Sequence, residues 1–189
     1  ASYEISASCV NQDSLYALTS DQIIQEFKPS ESCNDLSTSA HLVLSSSISA
    51  YSDQVLNVRL LNNNTELLVS TNANFLKCYN LLSSDCSITY GHSDIILAVT
   101  VSIDSSIIAT GSKDGIIIVW ERIAPSSVKS SSTFSKIVEL SGHTSQITSL
   151  AFPPNSNDIL WSASMDKTIK KWNIKTGKTF FTFIAHEND

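Results

Sequence analysis

The sequence predicts an all-β chain of four antiparallel four-stranded units, and three observations support that prediction. Apolar and polar residues alternate with the two-residue period of a β-strand in short runs, most clearly from 147 to 152. Clusters of Pro, Gly, Asn, Asp and Ser interrupt these runs, as at Pro153-Pro154-Asn155. One pattern also occurs twice at nearly the same spacing, which indicates a repeated structural unit.

The repeated pattern begins with Gly-His and ends with Trp. His92 precedes Trp120 by 28 residues, and His143 precedes Trp172 by 29. Each copy has a hydroxyl residue 10 positions before the Trp and an aspartate 6 positions before it, which are Thr110 and Asp114 in the first copy and Ser162 and Asp166 in the second. Because a buried carboxylate and a buried indole both need hydrogen-bond partners, a closed network of these side chains would tie three strands and a loop together.

These two copies resemble the repeats of the WD-repeat β-propeller family, each of which forms one blade of a ring. The resemblance implies a buried hydrogen-bonded tetrad in each blade, from Trp to hydroxyl to His to Asp. Its members would be His92, Thr110, Asp114 and Trp120 in one blade, and His143, Ser162, Asp166 and Trp172 in the other. The pairs Trp120-Glu121 and Trp172-Asn173 depart from the family's terminal Trp-Asp, at a position that commonly varies.

Residues 1–49 are interpreted as a degenerate blade, because Asp21 lies six positions before Phe27 but no Trp is present. Residues 50–90 are interpreted as a second degenerate blade. There Tyr51 and Tyr79 take the places of His and Trp, 28 residues apart, and Asn72-Ala73-Asn74 takes the place of the Asp. Both blades are expected to keep the strand pattern without a tetrad.

Residues 91–141 are predicted to form a WD blade with a long polar connection, and residues 142–184 a second WD blade. The connection, Pro125 to Thr133, is rich in serine and is expected to be mobile and to contribute little to folding. Residues 185–189 restart the pattern as Ala-His, so the chain is expected to be part of a larger ring or pair of rings.

Composition narrows the functional classes. The net charge is −6 and the pI about 5.1, so no bulk attraction to nucleic acid is expected. A local cluster of lysines could contact phosphate, although contact with water is the favoured interpretation: Lys167, Lys170, Lys171, Lys175 and Lys178. The four cysteines show no metal-binding spacing, and neither a signal peptide nor a membrane-length apolar run is evident. These features predict a soluble intracellular protein. Reduced thiols are the favoured interpretation, and the even number of cysteines leaves a disulfide as the alternative.

Two segments imitate catalytic motifs. Ser162, His143 and Asp166 have the residue types of a hydrolase triad, but duplication of the set at the repeat spacing favours a structural role. Thr176-Gly177-Lys178-Thr179 resembles the end of a phosphate-binding loop, yet Trp172 stands where that motif requires Gly. The four histidines fall singly on repeat positions. The sequence therefore predicts neither an enzyme nor a metal or other cofactor.

The predicted function is a non-catalytic scaffold for macromolecular assembly. From Gly91 onwards the order of features resembles the transducin-beta-like WD-repeat subunits of the UTP-B subcomplex in the nucleolar small-subunit processome. That resemblance implies a nucleolar location, a role in pre-ribosomal RNA processing, partner subunits, further blades of the same polypeptide and local pre-rRNA contact. The alternative is a cytoplasmic peptide-recognising adaptor, a ubiquitin-ligase substrate receptor or coat subunit. By resemblance, the binding face would include Asp94, Lys113, Ser145, Gln146 and Met165.

Overall fold

The computed structural model describes residues 5–10, 14–19, 23–29, 42–49, 54–61, 65–83, 85–125, 127 and 130–185. Every regular element in these residues is a β-strand, and the strands form four four-stranded sheets. No helix in the described ranges is long and apolar enough to cross a membrane. The predicted all-β fold class is confirmed.

Each sheet takes four strands that follow one another along the chain, and neighbouring strands pair antiparallel. The first two sheets contain β1 (Ile5–Val10), β2 (Leu15–Thr19), β3 (Ile23–Pro29) and β4 (Leu42–Ser49), then β5 (Val55–Leu60), β6 (Glu66–Thr71), β7 (Phe75–Asn80) and β8 (Cys86–Tyr90). The third and fourth contain β9 (Ile96–Val101), β10 (Ile107–Ser112), β11 (Ile117–Ile123) and β12 (Thr133–Leu140), then β13 (Ile147–Ala151), β14 (Ile159–Ser164), β15 (Thr168–Asn173) and β16 (Lys178–Ile184).

The core lies in layers between consecutive sheets, because both faces of an inner sheet are apolar. In the third sheet, Ala109, Val119 and Val138 are paired in register and pack towards the fourth sheet. Ile108 and Trp120 point the other way and pack on the second sheet. Side chains alternate between faces along a strand, so one run of residues supplies two core layers.

The far face of the fourth sheet differs from the matching face of the third. When Ser162 is aligned with Thr110, the small residues of the third sheet are replaced here by large ones. The three cross-strand neighbours on this face are Trp161, Lys171 and Phe181, where the third sheet has Ala109, Val119 and Val138. The Lys171 ammonium lies 5.5 Å from the Trp161 ring centre and also contacts the Phe180 ring. These contacts account for one of the five clustered lysines, while Lys170 donates to Thr182 and Lys175 pairs with Asp158.

Loops gather at two edges of the sheets. The upper edge is defined as the segments that precede β9 and β13 together with the β10–β11 and β14–β15 turns. The lower edge is defined as the opposite ends of the same strands, with the β5–β6, β7–β8, β9–β10, β11–β12 and β13–β14 connections. Some predicted features lie outside the described residues, namely Asp21, residues 30–39, His41, Tyr51 and the restart at His186.

Candidate functional site

The fourth sheet contains a complete hydrogen-bonded chain of four side chains. The indole Nε1 of Trp172 donates to Ser162 Oγ at 2.8 Å, and Ser162 Oγ lies 2.7 Å from His143 Nε2. His143 Nδ1 lies 2.7 Å from Asp166 Oδ2. Strands β14 and β15 supply Ser162 and Trp172, and the upper-edge loops supply His143 and Asp166. These hydrogen bonds therefore join two strands to two loops.

The arrangement of donors and acceptors around His143 fits a neutral imidazole ring. Trp172 can only donate, so Ser162 accepts from it and donates its own proton to Nε2, which leaves Nδ1–H to donate to Asp166. Burial lowers the pKa of His143, and the Asp166 carboxylate offsets this only in part. Burial would raise the pKa of Asp166, but hydrogen bonds from Thr168, His143 and the Thr144 backbone outweigh it and hold the pKa below its ordinary value.

The third sheet has the same series of hydrogen bonds, except that the last one, from His to Asp, is not formed. Trp120 Nε1 donates to Thr110 Oγ1 at 2.8 Å, and Thr110 Oγ1 lies 2.7 Å from His92 Nε2. Nδ1 of the buried His92 has no hydrogen-bond partner among the described residues. The predicted contact between His92 and Asp114 is therefore absent, and Asp114 instead accepts from Ser93 Oγ and from the Ile116 backbone N–H.

Two positions around the aspartate differ between the sheets. The first follows the histidine: Thr144 donates its backbone N–H to Asp166, whereas Ser93 donates its hydroxyl to Asp114. The residue two positions after the aspartate is Thr168 in the fourth sheet, and its hydroxyl donates to Asp166 Oδ1 at 2.6 Å. The equivalent residue in the third sheet is Ile116, which offers Asp114 only its backbone N–H. With one fewer donor holding the carboxylate, Asp114 turns towards the Ser93 hydroxyl at the surface. The Thr-to-Ile difference could have been noticed in the sequence.

The described residues of the second sheet contain no matching series of hydrogen-bonded side chains. Val69 occupies the hydroxyl position and Tyr79 the Trp position, and both are buried in the apolar layer that the second sheet shares with the first. In the turn that lacks an aspartate, Asn74 donates across to the backbone carbonyl of His92 in the next sheet at 3.2 Å.

The expectation of a mobile connection between β11 and β12 is wrong for its last three residues. Ser130–Ser132, here called the strap, lie against the lower edge of the second sheet, and Ser132 is fully buried. Ser132 donates its backbone N–H and its hydroxyl to Glu66, and Ser131 donates both to Asp85. Serine hydroxyls and backbone amides order this segment because carboxylates of the neighbouring sheet accept from them. Sequence reasoning missed Glu66, Arg122 and Ser132, which no local spacing connects.

The five residues that the sequence placed on a binding face fall in two groups on the upper edge. Ser145, Gln146 and Met165 lie together, because the Met165 N–H donates to the Gln146 carbonyl and the Gln146 amide contacts the Met165 sulfur. Asp94 and Lys113 lie on the third sheet, where Asp94 caps the next backbone N–H and the Lys113 side chain is exposed.

Gly115 joins these two groups. Its φ is +81°, and a Cβ at this position would approach the Ser145 carbonyl oxygen to 3.0 Å. A side chain there would therefore be strained and would press on the neighbouring loop. The glycine lets the upper edges of the third and fourth sheets lie in contact.

The candidate triad has the geometry of a structural element. Ser162 is buried, and its Oγ is held between the indole of Trp172 and the ring of His143, so it presents no accessible nucleophile. Within the described residues, no group of three or more His, Cys, Asp or Glu side chains is placed to hold a metal ion.

A protein-family model accounts for the repeated features. The model for the WD domain, G-beta repeat, matches residues 83–121 and 134–173. Each match begins at the outer strand of one sheet and ends at the third strand of the next, and each contains one of the two hydrogen-bonded sets described above. These two stretches of the chain are WD repeats. The four sheets of the chain are therefore called blades 1 to 4 in chain order.

Several characterised WD-repeat proteins are similar to this one. Transducin beta-like protein 3 of Bos taurus is 31% identical over 132 residues, which is 69% of the chain and 16% of that relative. The Lissencephaly-1 homolog of Caenorhabditis briggsae is 35% identical over 54% of the chain and 24% of its own length. Ribosome biogenesis protein YTM1 of Scheffersomyces stipitis is 33% identical over 57% of the chain and 22% of its length. The chain thus spans a small part of each relative.

Proposed function

We propose that this protein is a non-catalytic scaffold subunit of the small-subunit processome, acting in pre-ribosomal RNA processing in the nucleolus. The observation that carries the proposal is the 31% identity to transducin beta-like protein 3 over 132 residues, which is 69% of the chain. The likeness to a ribosome biogenesis protein, YTM1, supports the same process.

The physical properties of blades 3 and 4 suit a scaffold. Polar groups buried between the blades are used in tetrads, which fix the positions of the upper-edge loops without presenting a reactive atom. Met165 is 59% exposed beside Gln146, and Lys113 is exposed on the adjoining blade. We propose that Asp94, Lys113, Ser145, Gln146 and Met165 contact partner subunits, since rigid loops that carry exposed apolar and charged side chains are common binding surfaces.

Contact with pre-rRNA would be local. The net charge of −6 opposes non-specific attraction to a polyanion. Among the five clustered lysines, the exposed Lys167 and Lys178 are the proposed contacts, whereas Lys170 donates to Thr182 and Lys175 is paired with Asp158.

The test is purification of the tagged natural protein from its own cells, followed by identification of bound proteins and RNA. Stable recovery of small-subunit precursors and pre-rRNA, with accumulation of unprocessed pre-rRNA when the protein is depleted, is expected. Lys113→Glu combined with Met165→Glu should weaken recovery, whereas Lys136→Glu on β12 serves as the control. Recovery of exchangeable partners that share a short motif, without pre-rRNA, would replace this proposal with the adaptor function.

A further inference from the structure

Blade 2 is closely packed but lacks the tetrad of the WD-repeat family. Every residue of β6 is buried, and Leu67, Leu68 and Val69 belong to the apolar layers on its two sides. Apolar layers alone tolerate sliding, because their contacts carry little directional preference. Backbone pairing sets the register of β6, β7 and β8 within the sheet, and a polar contact with defined geometry would in addition fix how this sheet lies against its neighbour.

The strap makes such contacts with all three strands or their ends. Besides the bonds to Glu66 at the start of β6, Asn80 at the end of β7 donates its side-chain amide to the Ser130 carbonyl at 2.9 Å. Ser87 of β8 donates its hydroxyl to the Ser132 carbonyl at 2.5 Å. Each strap residue thus makes at least one hydrogen bond to blade 2, and the partners lie on three different strands of that blade.

The acceptors of this site are mainly negative. Glu66 accepts from the Ser132 backbone at 2.5 Å and from its hydroxyl at 2.7 Å, and Arg122 of blade 3 donates both to Glu66 and to Ser132 Oγ. Ser131 lies against the second carboxylate, with its N–H 2.9 Å from Asp85 Oδ2 and its hydroxyl 3.3 Å from the same atom. Hydrogen-bond donors are therefore favoured at this site, and an added anion would be repelled by the carboxylates of Glu66 and Asp85.

We propose that the strap is the lock of blade 2, supplied by the β11–β12 connection of blade 3, and that negative charge placed on Ser131 releases it. The strap holds β6–β8 through contacts from a neighbouring blade, whereas the tetrad side chains of blades 3 and 4 lie within their own blades. Releasing the strap loosens blade 2 and leaves blade 4 unchanged, because blade 4 has its own closed tetrad.

Hydrogen exchange of the full chain, followed by mass spectrometry of peptides, tests this assignment. Ser131→Asp should speed exchange of the β6–β8 amides about tenfold or more, with β13–β15 unchanged, because exchange follows local opening. Ser135→Asp is the matched control: it adds the same charge to an exposed serine of β12, outside the strap. Asp166→Ala should give the reverse result, with faster exchange in β13–β15 alone. Faster exchange confined to residues 124–133 in Ser131→Asp would show that the strap locks nothing.

A milder variant covers the case in which Ser131→Asp does not fold. Ser131→Ala removes the hydroxyl hydrogen bonds to Asp85 but adds no charge. Trypsin cleavage after Lys129, quenched at intervals and read by mass spectrometry, should then speed up roughly two- to tenfold, as loss of one or two hydrogen bonds would allow. In the same variant, protection of β6–β8 should fall by a smaller factor. Unchanged cleavage and unchanged protection would overturn the proposal.

Discussion

Arg122 of blade 3 and Glu66 of blade 2 form an ion pair, Nη2 to Oε2, of 2.5 Å, across 56 residues of chain. Their side chains are only 15% and 1% exposed. Lys175 and Asp158 of blade 4 form a pair of nearly the same length, 2.6 Å, with exposures of 71% and 51%. The two pairs differ in burial, and burial decides how much each contributes to stability.

Arg122→Met should therefore destabilise the chain by about 3–5 kcal/mol, because Glu66 would keep a buried charge without its cation. Lys175→Met removes an exposed pair and should cost at most about 1 kcal/mol. Urea unfolding followed by tryptophan fluorescence measures both values. Equal losses in the two variants would mean that water reaches Glu66.

Asp166→Ala should cost about 1–3 kcal/mol, because His143 Nδ1–H loses its acceptor inside the protein. Asp114→Ala should cost clearly less, since Asp114 does not contact His92 and bonds near the surface instead. The same unfolding experiment compares the two variants. A larger loss for Asp114→Ala would show that the third-blade tetrad closes in solution.

Stability should fall as the pH is lowered from 7 to 5. Burial depresses the pKa of both His143 and His92 below the ordinary value of 6.5, so the unfolded chain takes up protons that the folded chain refuses. Their contribution is present above pH 6.5 and is lost as the pH falls towards the folded pKa values. Asp166, whose pKa is also depressed, adds a second loss below its ordinary value of 3.8. Melting temperatures at several pH values measure the slope, and His143→Asn should flatten it.

The far face of blade 4 should promote self-association. Phe181 is 61% exposed, its ring lies 6.2 Å from that of the exposed Phe183, and the exposed Phe180 contacts Lys171 on the same face, so these side chains form an apolar surface on β16. Phe181→Glu should reduce the concentration-dependent mass seen by light scattering. Leu82→Glu changes an equally exposed but isolated side chain, 66% exposed, and should have no effect. A monomeric wild-type chain at all concentrations would contradict the prediction.

The tetrad of blade 4 could be predicted from sequence because its four members lie at fixed spacings within one repeat. The tetrad of blade 3 has the same spacings, yet its His92–Asp114 contact is absent. The donors that differ are outside the motif, where Ile116 replaces Thr168 and Ser93 replaces Thr144. A spacing identifies which side chains can meet, and the neighbouring donors determine whether they do.

The strap could not be predicted in the same way. Its composition, mostly serine, is typical of a mobile loop, and that expectation holds only when no acceptor lies nearby. Glu66 and Asp85 supply the acceptors, but they belong to another blade and lie 66 and 46 residues away. Contacts between blades depend on how the sheets stack, which the pattern within one repeat does not encode.

This separation has a consequence for synthesis on the ribosome. The last strand of blade 2 is complete at Tyr90, but Ser132 must also be made before Glu66 receives its donors. A nascent chain that ends between these points would have a finished second sheet in which Glu66 lacks its Ser132 donors. Blade 2 should therefore mature only after most of blade 3 has left the exit tunnel, so a translational pause just before residue 132 would extend the time in which the half-made protein is open to chaperones.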